Sequence, residues 1–225
     1  MILALVLAAP TALATPKLNE FMYDRSGASD AHKEWVELCD YDADATDLTG
    51  WQLQYAGVDW AELYTYTGDT INPGDHLVHG GYDFIAGMWN GEAGTSGLRL
   101  VDPDGNVVDT ILYAPNNIYG LLADDGTTTS PPAPDVPKNS DQTLSRYPDC
   151  SDTDNSSIDV VITPTPTEGK KNRNPDGVKP DQTPSERGCG GSSGDSTAFL
   201  LMFPMLPYFP LRRRRTSSRP NPASR

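Results

Sequence analysis

The sequence predicts an all-β fold, a sandwich or barrel of short strands, on three observations. Short runs of β-branched, aromatic and aliphatic residues recur between clusters of Gly, Asp, Asn and Pro, the spacing of an antiparallel sandwich or barrel rather than of βαβ units. Gly and Pro number 20 each in 225 residues, which argues against long helices. Apolar residues make up 37% of the chain, suited to one ordinary domain carrying polar tails.

Taken in order, strands are predicted at 18–23, 34–39, 51–55, 63–66, 76–79, 97–101 and 107–113, with an eighth at 143–147. The clearest pair is the hairpin over 98–113, where Asp104 and Gly105 supply the turn residues that tolerate positive φ. Residues 127–139, with four Pro and a Thr-Thr-Thr-Ser run, read as a long loop. Past Pro164 apolar residues almost vanish, so 168–187 reads as an extended, disordered Pro/Lys/Asn/Asp linker.

Both ends read as targeting signals. The apolar run 1–9 is broken by Pro10, and Ala12 and Ala14 provide the small residues of a signal-peptidase site, so cleavage is expected after Ala14. A buried first strand is the alternative. At the other end, 198–211 is apolar for 14 residues. As a helix it would reach about 21 Å at 1.5 Å per residue, short of the roughly 30 Å hydrocarbon core. Pro204, Pro207 and Pro210 further oppose a helix, and Arg212 to Arg215 follow as a positive-inside stop. This order of Gly188-Cys189, a flexible Gly/Ser stretch, an apolar segment and an Arg cluster resembles the C-terminal sorting signals of myxobacterial surface proteins. The resemblance implies membrane engagement through the tail, action by export and C-terminal processing machinery, and processing near Cys189. The segment 216–225 is expected to be a disordered tail.

An exported chain favours disulfides. Assigning Cys189 to the tail leaves Cys39 and Cys150 as the expected pair, with two free buried thiols as the alternative. Export also unmasks charge. The whole chain carries -14, but residues 15–189 alone hold 11 basic and 30 acidic residues, a net charge of -19.

Within the β region, the runs Leu18-Asn19-Glu20-Phe21-Met22-Tyr23, Glu34-Trp35-Val36-Glu37-Leu38 and Asp47-Leu48-Thr49-Gly50-Trp51-Gln52-Leu53 resemble the opening strands of the lamin-tail domain. So do Ile71-Asn72-Pro73-Gly74-Asp75-His76-Leu77-Val78, the 98–113 hairpin, and the closing Ser145-Arg146, Asp152-Thr153-Asp154-Asn155 and Pro164-Thr165-Pro166. The resemblance spans Lys17 to Lys170. It implies an immunoglobulin-like β-sandwich over 15–167, with Asn19, Glu20, Trp35, Glu37, Leu38, Gly50 and Trp51 as fold-motif residues. Bacterial members of this family occur in exported and surface proteins and generally lack an assigned chemistry. Cys39 stands where the family usually has a bulky residue, which fits a special role for its thiol.

Candidate chemistry is sparse. Glu20 and Glu37, on neighbouring strands, could form a glycosidase pair, or each could accept bonds from loop amides and hold a sandwich corner. Strand parity puts Trp35, Glu37 and Cys39 on one face and Val36 and Leu38 on the other, so a Val36/Leu38 core places Glu37 outside. His76 and His79, three apart in a strand, fall on opposite faces and cannot share an ion, and His32 reads as solvated. No Ser has a nucleophile-elbow context and no Cys a neighbouring His.

Calcium has three candidate oxygen sets: Asp40, Asp42 and Asp44; Asp102, Asp104 and Asn106; and Asp152, Asp154 and Asp159. None is an EF-hand, because positions six and twelve are Ala45 and Trp51, Val107 and Tyr113, or Ser157 and Thr163. Turn capping explains the same residues. Among the aromatics, Trp60, Tyr82 and Trp89 are placed in loops, where they could form a stacking surface. The expected function is a non-enzymatic, secreted, cell-surface-anchored structural or binding module whose partner is an unknown protein or polysaccharide. A calcium-dependent adhesion or carbohydrate-binding module is the alternative, and apart from calcium no cofactor is expected.

Nucleic acid is not an expected partner, because the charge of the 15–189 body opposes phosphate and its longest basic run is Lys170-Lys171. In a gel-shift titration at physiological salt, this body should leave duplex DNA unshifted. Saturable, salt-sensitive binding would contradict the charge argument.

Overall fold

The computed structural model describes residues 16–27, 32–91 and 94–173. Among the described residues, eleven strands, a 3-10 turn and one α-helical turn run in the order β1 (Lys17–Met22), β2 (Trp35–Cys39), β3 (Thr46–Asp47), β4 (Gln52–Ala56), β5 (Trp60–Thr65), β6 (Thr70–Ile71), β7 (His76–Gly80), the 3-10 turn (Gly81–Asp83), β8 (Ser96–Val101), β9 (Val107–Tyr113), β10 (Thr143–Arg146), α1 (Ser156–Asp159) and β11 (Val160–Thr163). A five-stranded sheet has the order β11-β10-β1-β2-β7, a four-stranded sheet the order β5-β4-β8-β9, and β3 pairs with β6. All these pairings are antiparallel. The result is the expected immunoglobulin-like β-sandwich.

Alternation builds the core from both sheets. Leu18, Phe21, Val36, Leu38 and Leu144 from the five-stranded sheet meet Leu53, Leu63, Leu98, Leu100, Ile111 and Tyr113 from the four-stranded one. Leu18 and Phe21 are three residues apart, which strict alternation would put on opposite faces. A bulge in β1 between Leu18 and Glu20 restores both to the core, and it turns Asn19 and Glu20 together toward the outer face. Sequence periodicity did not reveal this extra residue.

The predicted strands are all present, with ends within two residues except at β5, which starts three residues before the predicted 63. The short β3 and β6, the turn α1 and β11 were not among them. The 98–113 hairpin turns at Gly105, whose φ is +86°, and Asp102 Oδ1 accepts the backbone N–H groups of Asp104 and Asn106 at 3.0 and 2.8 Å. The Pro-rich loop is irregular, as expected, yet well anchored. Ala133 and Val136 join the core, Tyr23 Oη donates to Asp135 at 2.6 Å, and Val136 N donates back to Tyr23 Oη at 2.8 Å.

Trp51 enters the core at the mouth of β4 and is 8% exposed. Gly50, with φ +85°, and the bond from Trp51 N to Leu48 O at 2.9 Å swing its ring inward. A Trp51→Ala substitution should therefore lower stability by about 3 to 5 kcal/mol, the range for emptying an aromatic core site. Thermal or denaturant unfolding measures it, and an unchanged midpoint would contradict the core placement.

Candidate functional site

The outer face of the five-stranded sheet gathers the sharpest candidates. Glu20 and Glu37 stand directly opposite each other across β1 and β2. Neither carboxylate is open to a substrate, since both residues are 0% exposed. Glu20 accepts Thr143 Oγ1 at 2.5 Å, Thr167 Oγ1 at 2.5 Å and Thr167 N at 3.1 Å. Glu37 accepts Asn19 Nδ2 at 2.8 Å and Gly169 N at 2.6 Å. Both carboxylates thus hold a corner of the sandwich.

One expectation holds here and one is corrected. Parity places Glu37 away from the Val36 and Leu38 core, as predicted, but that outer side is buried. The cover is residues 167–172, which the composition assigned to a linker from residue 168 onward. Backbone N–H groups of Thr167, Gly169 and Asn172 find acceptors on Glu20, Glu37 and Asp149, so hydrogen bonding fixes a strap that has no apolar residues to bury. The packed structure therefore continues past Thr167, the expected domain boundary, to Asn172.

The disulfide expected between Cys39 and Cys150 is formed, with Cα atoms 5.9 Å apart. It ties β2 to the turn after β10, where Cys150 N donates to Asn19 Oδ1 at 2.9 Å. The adjacent Asp149 is a hub: it accepts Asn19 Nδ2 at 3.0 Å, Asn172 N at 2.9 Å and the Tyr41 hydroxyl, and it pairs with His76 Nε2 at 3.1 Å. Burial works against the Asp149 charge, but the bonds from His76, Tyr41, Asn172 and Asn19 hold its carboxyl well below the usual range. The same bond to Asp149 raises His76. Burial pushes Glu37 up to about 7, against the donors Asn19 and Gly169 and the nearby His76.

A second cluster sits where the two sheets meet. Arg146, 1% exposed, donates from Nε to Leu18 O at 2.7 Å, from Nη2 to Asp109 at 2.6 Å, and from Nη1 to Ser151 O at 2.7 Å, Asp152 at 3.1 Å and Asp159 at 3.3 Å. Asp109 also accepts Leu18 N at 2.6 Å, and Lys17 Nζ lies 2.6 Å from Asp152. The resemblance had singled out Arg146 and Asp152 but not Asp109. A signal for Asp109 was present, because it shares strand parity with the core residues Ile111 and Tyr113.

In each of the three expected calcium sets at least one carboxylate accepts bonds from the chain's own groups. Asp40 accepts Asp42 N at 2.9 Å and Thr46 Oγ1 at 2.8 Å, Asp44 lies exposed on the same loop, and Asp102 caps the hairpin turn that holds Asp104 and Asn106. In the third set, Asp152 and Asp159 bond Arg146, and Asp154 N donates to Asp152 at 3.1 Å. Among the described residues the carboxylates whose oxygens do come within 4.8 Å of one another are Asp109, Asp124 and Asp152. Only Asp152 belongs to an expected set. Lys17 and Arg146 already bring positive charge to this group, while burial and the charges of Asp109 and Asp152 push Asp124 up to about 8.

His76 and His79 do face opposite ways. His76 meets Asp149 on the outer face, whereas His79 stacks on Tyr64 at 4.6 Å and meets Tyr66 edge-on at 4.9 Å. His32 is not merely solvated, because it stacks on Tyr82 at 4.4 Å. Trp60 begins β5 instead of lying in a loop, and Arg99 sits 4.4 Å over its ring. Tyr82 and Trp89 remain 85% and 44% exposed. The signal segment 1–14, linker residues 174–187, Gly188, Cys189 and the rest of 188–215, and the tail 216–225 lie outside the described residues.

Residues 9–115 match the Lamin Tail Domain family. The match supports the resemblance from the first strand through β9 and ends before β10, β11 and the closing turn. No curated protein matches the chain.

Glu37 makes stability depend on pH. Its carboxyl ionises near 7 in the folded protein and near 4.5 when unfolded, so the folded state binds the proton more tightly. That contribution, on the order of 3 kcal/mol, is complete below the unfolded value and disappears as pH rises through 7. His76, also raised, changes in the same direction. The wild-type melting midpoint should therefore fall between pH 5 and 8, and Glu37→Gln should flatten that fall while leaving the parts due to His76 and Asp124. Parallel curves for the two proteins would contradict this assignment.

Proposed function

We propose that this chain is a non-enzymatic structural or binding module, exported and held at the cell surface. The observation that carries the reading is the closure of its reactive-type groups. Glu20, Glu37 and Asp149 are filled by the chain's own donors, His76 is paired with Asp149, and Cys39 is bonded to Cys150. A catalytic carboxylate or nucleophile needs a free side facing substrate, and these groups have none. The Lamin Tail Domain match agrees with a module of this kind.

Exposed Tyr82 and Trp89 support binding of a protein or polysaccharide, since aromatic rings offer broad contact area at small entropic cost. Export and anchoring rest on the end sequences: the apolar start with its Ala12 and Ala14 site, and the Gly188-Cys189, apolar, Arg-cluster order. Calcium dependence has less support, because Lys17 and Arg146 already pair with Asp109 and Asp152, two of the three carboxylates that converge.

Intact-mass measurement on protein recovered from the cell surface tests the proposal. The mature species should lack 198–225, and Cys189→Ala should block processing or surface retention while leaving the sandwich folded. Recovery of surface protein still bearing Arg212 to Arg215, or normal display of the variant, would sink the anchoring part.

A further inference from the structure

We propose that Lys170 and Lys171 form a cleavage site for a trypsin-like protease, closed by the strap over 167–172 and opened by reduction of the Cys39–Cys150 disulfide. The inference rests on the strap's geometry and is independent of the surface role proposed above. Both lysine side chains are exposed, and a lysine is what the acidic specificity pocket of such a protease accepts. Their backbone is in the wrong shape. Proteases of this class bind the substrate chain extended, as an added strand, whereas the strap turns at Gly169 with φ +70°.

Anchors on both sides of the pair keep that turn closed. On the N-terminal side, Thr167 is bonded to Glu20 and Gly169 to Glu37. On the C-terminal side, Asn172 N donates to Asp149 at 2.9 Å, and Asn172 Nδ2 donates to Arg146 O at 3.0 Å. Thr167 Oγ1 and Asn172 Oδ1 lie 2.9 Å apart and close the loop on itself.

The disulfide connects to the strap through one residue. Cys150 is held against β2 by its bond to Cys39, and its neighbour Asp149 receives Asn172. Cys39 is fully buried and Cys150 is partly exposed, so the side of the bond open to a dithiol reductant in this proposal is Cys150. The reductant's thiolate forms a mixed disulfide there and Cys39 leaves as a thiolate that takes up a proton. The second thiol of the reductant, losing its proton, then displaces Cys150. Two electrons pass to the protein, both cysteines end as thiols, and the reductant ends as a disulfide. With the 149–150 turn released, Asn172 loses its acceptor and the strap can extend. Cleavage after Lys170 or Lys171 separates the sandwich from all that follows, Cys189 included.

Brief trypsin digestion of the oxidised full-length chain, read by intact mass, tests the proposal. In the wild type Lys170 and Lys171 should survive. Asn172→Ala, with the disulfide intact, and Cys150→Ser should each speed cleavage after Lys170 or Lys171 by about tenfold, the population change expected from losing one or two anchoring hydrogen bonds. Arg99, inside β8, should stay uncut in both variants and report that the sandwich is folded. The strap is refuted if Asn172→Ala is cut after Lys170 or Lys171 no faster than oxidised wild type. The disulfide's part is refuted if Cys150→Ser is digested like wild type, or if Arg99 is cut in it, since the bond would then support the whole fold and not the strap alone.

Discussion

One buried guanidinium holds the two sheets of this sandwich in register. Arg146 extends from β10 in the five-stranded sheet, bonds the backbone of β1 at Leu18, and reaches Asp109 of β9 in the four-stranded sheet. Its remaining donors take Ser151, Asp152 and Asp159, which fixes the turn before β11. A charge so deep is tolerated only because every side of it is answered. Removing one partner of such a pair costs about 3 to 5 kcal/mol, since the other is left charged and buried. The closing strands therefore depend on Arg146 for position as much as on the apolar contacts of Leu144 and Val160 with the core.

From this junction the outer face of the five-stranded sheet acquires its unusual character. In many antiparallel sheets one face packs and the other meets water. Here the outward-facing Glu20, Glu37 and Cys39 are as buried as the core, covered by a polar layer made of the 149–150 turn and the strap. The same polar groups that satisfy the strap's backbone also occupy the carboxylates. The same bonds thus fasten the strap and close these carboxylates. Hydrogen bonding is the chief fastening of this layer, with the Cys39–Cys150 disulfide as its covalent attachment.

The acidic balance has two physical destinations. Part of it is structural, as at Asp109, Asp149, Asp152 and Asp159, where cationic partners or N–H donors absorb the charge. Other carboxylates, such as Asp42, Asp44 and Asp104, lie toward solvent on turns, where they repel anions and favour cationic or neutral partners. With Tyr82 and Trp89 also at the surface, the exposed chemistry suits recognition more than reaction.

Much of this protein was legible in its residue order. Alternation in Trp35-Val36-Glu37-Leu38-Cys39 assigned the faces of β2, the spacing of His76 and His79 separated them, and Asp104-Gly105 marked the hairpin. These are local properties, set by the period of two along a strand and by the φ that a turn requires. What tertiary structure alone decided depends on neighbours distant in sequence. The β1 bulge is needed because Leu18 and Phe21 must meet the same core. Asp109 becomes a partner only when Arg146, 37 residues later, is folded against it. The segment from 168 to 172 reads as a linker because it has almost nothing apolar to bury, yet it is ordered because Glu37 and Asp149 present acceptors to its backbone. Composition records the cost of leaving a segment free, whereas only the folded chain shows which buried groups are waiting to bond it.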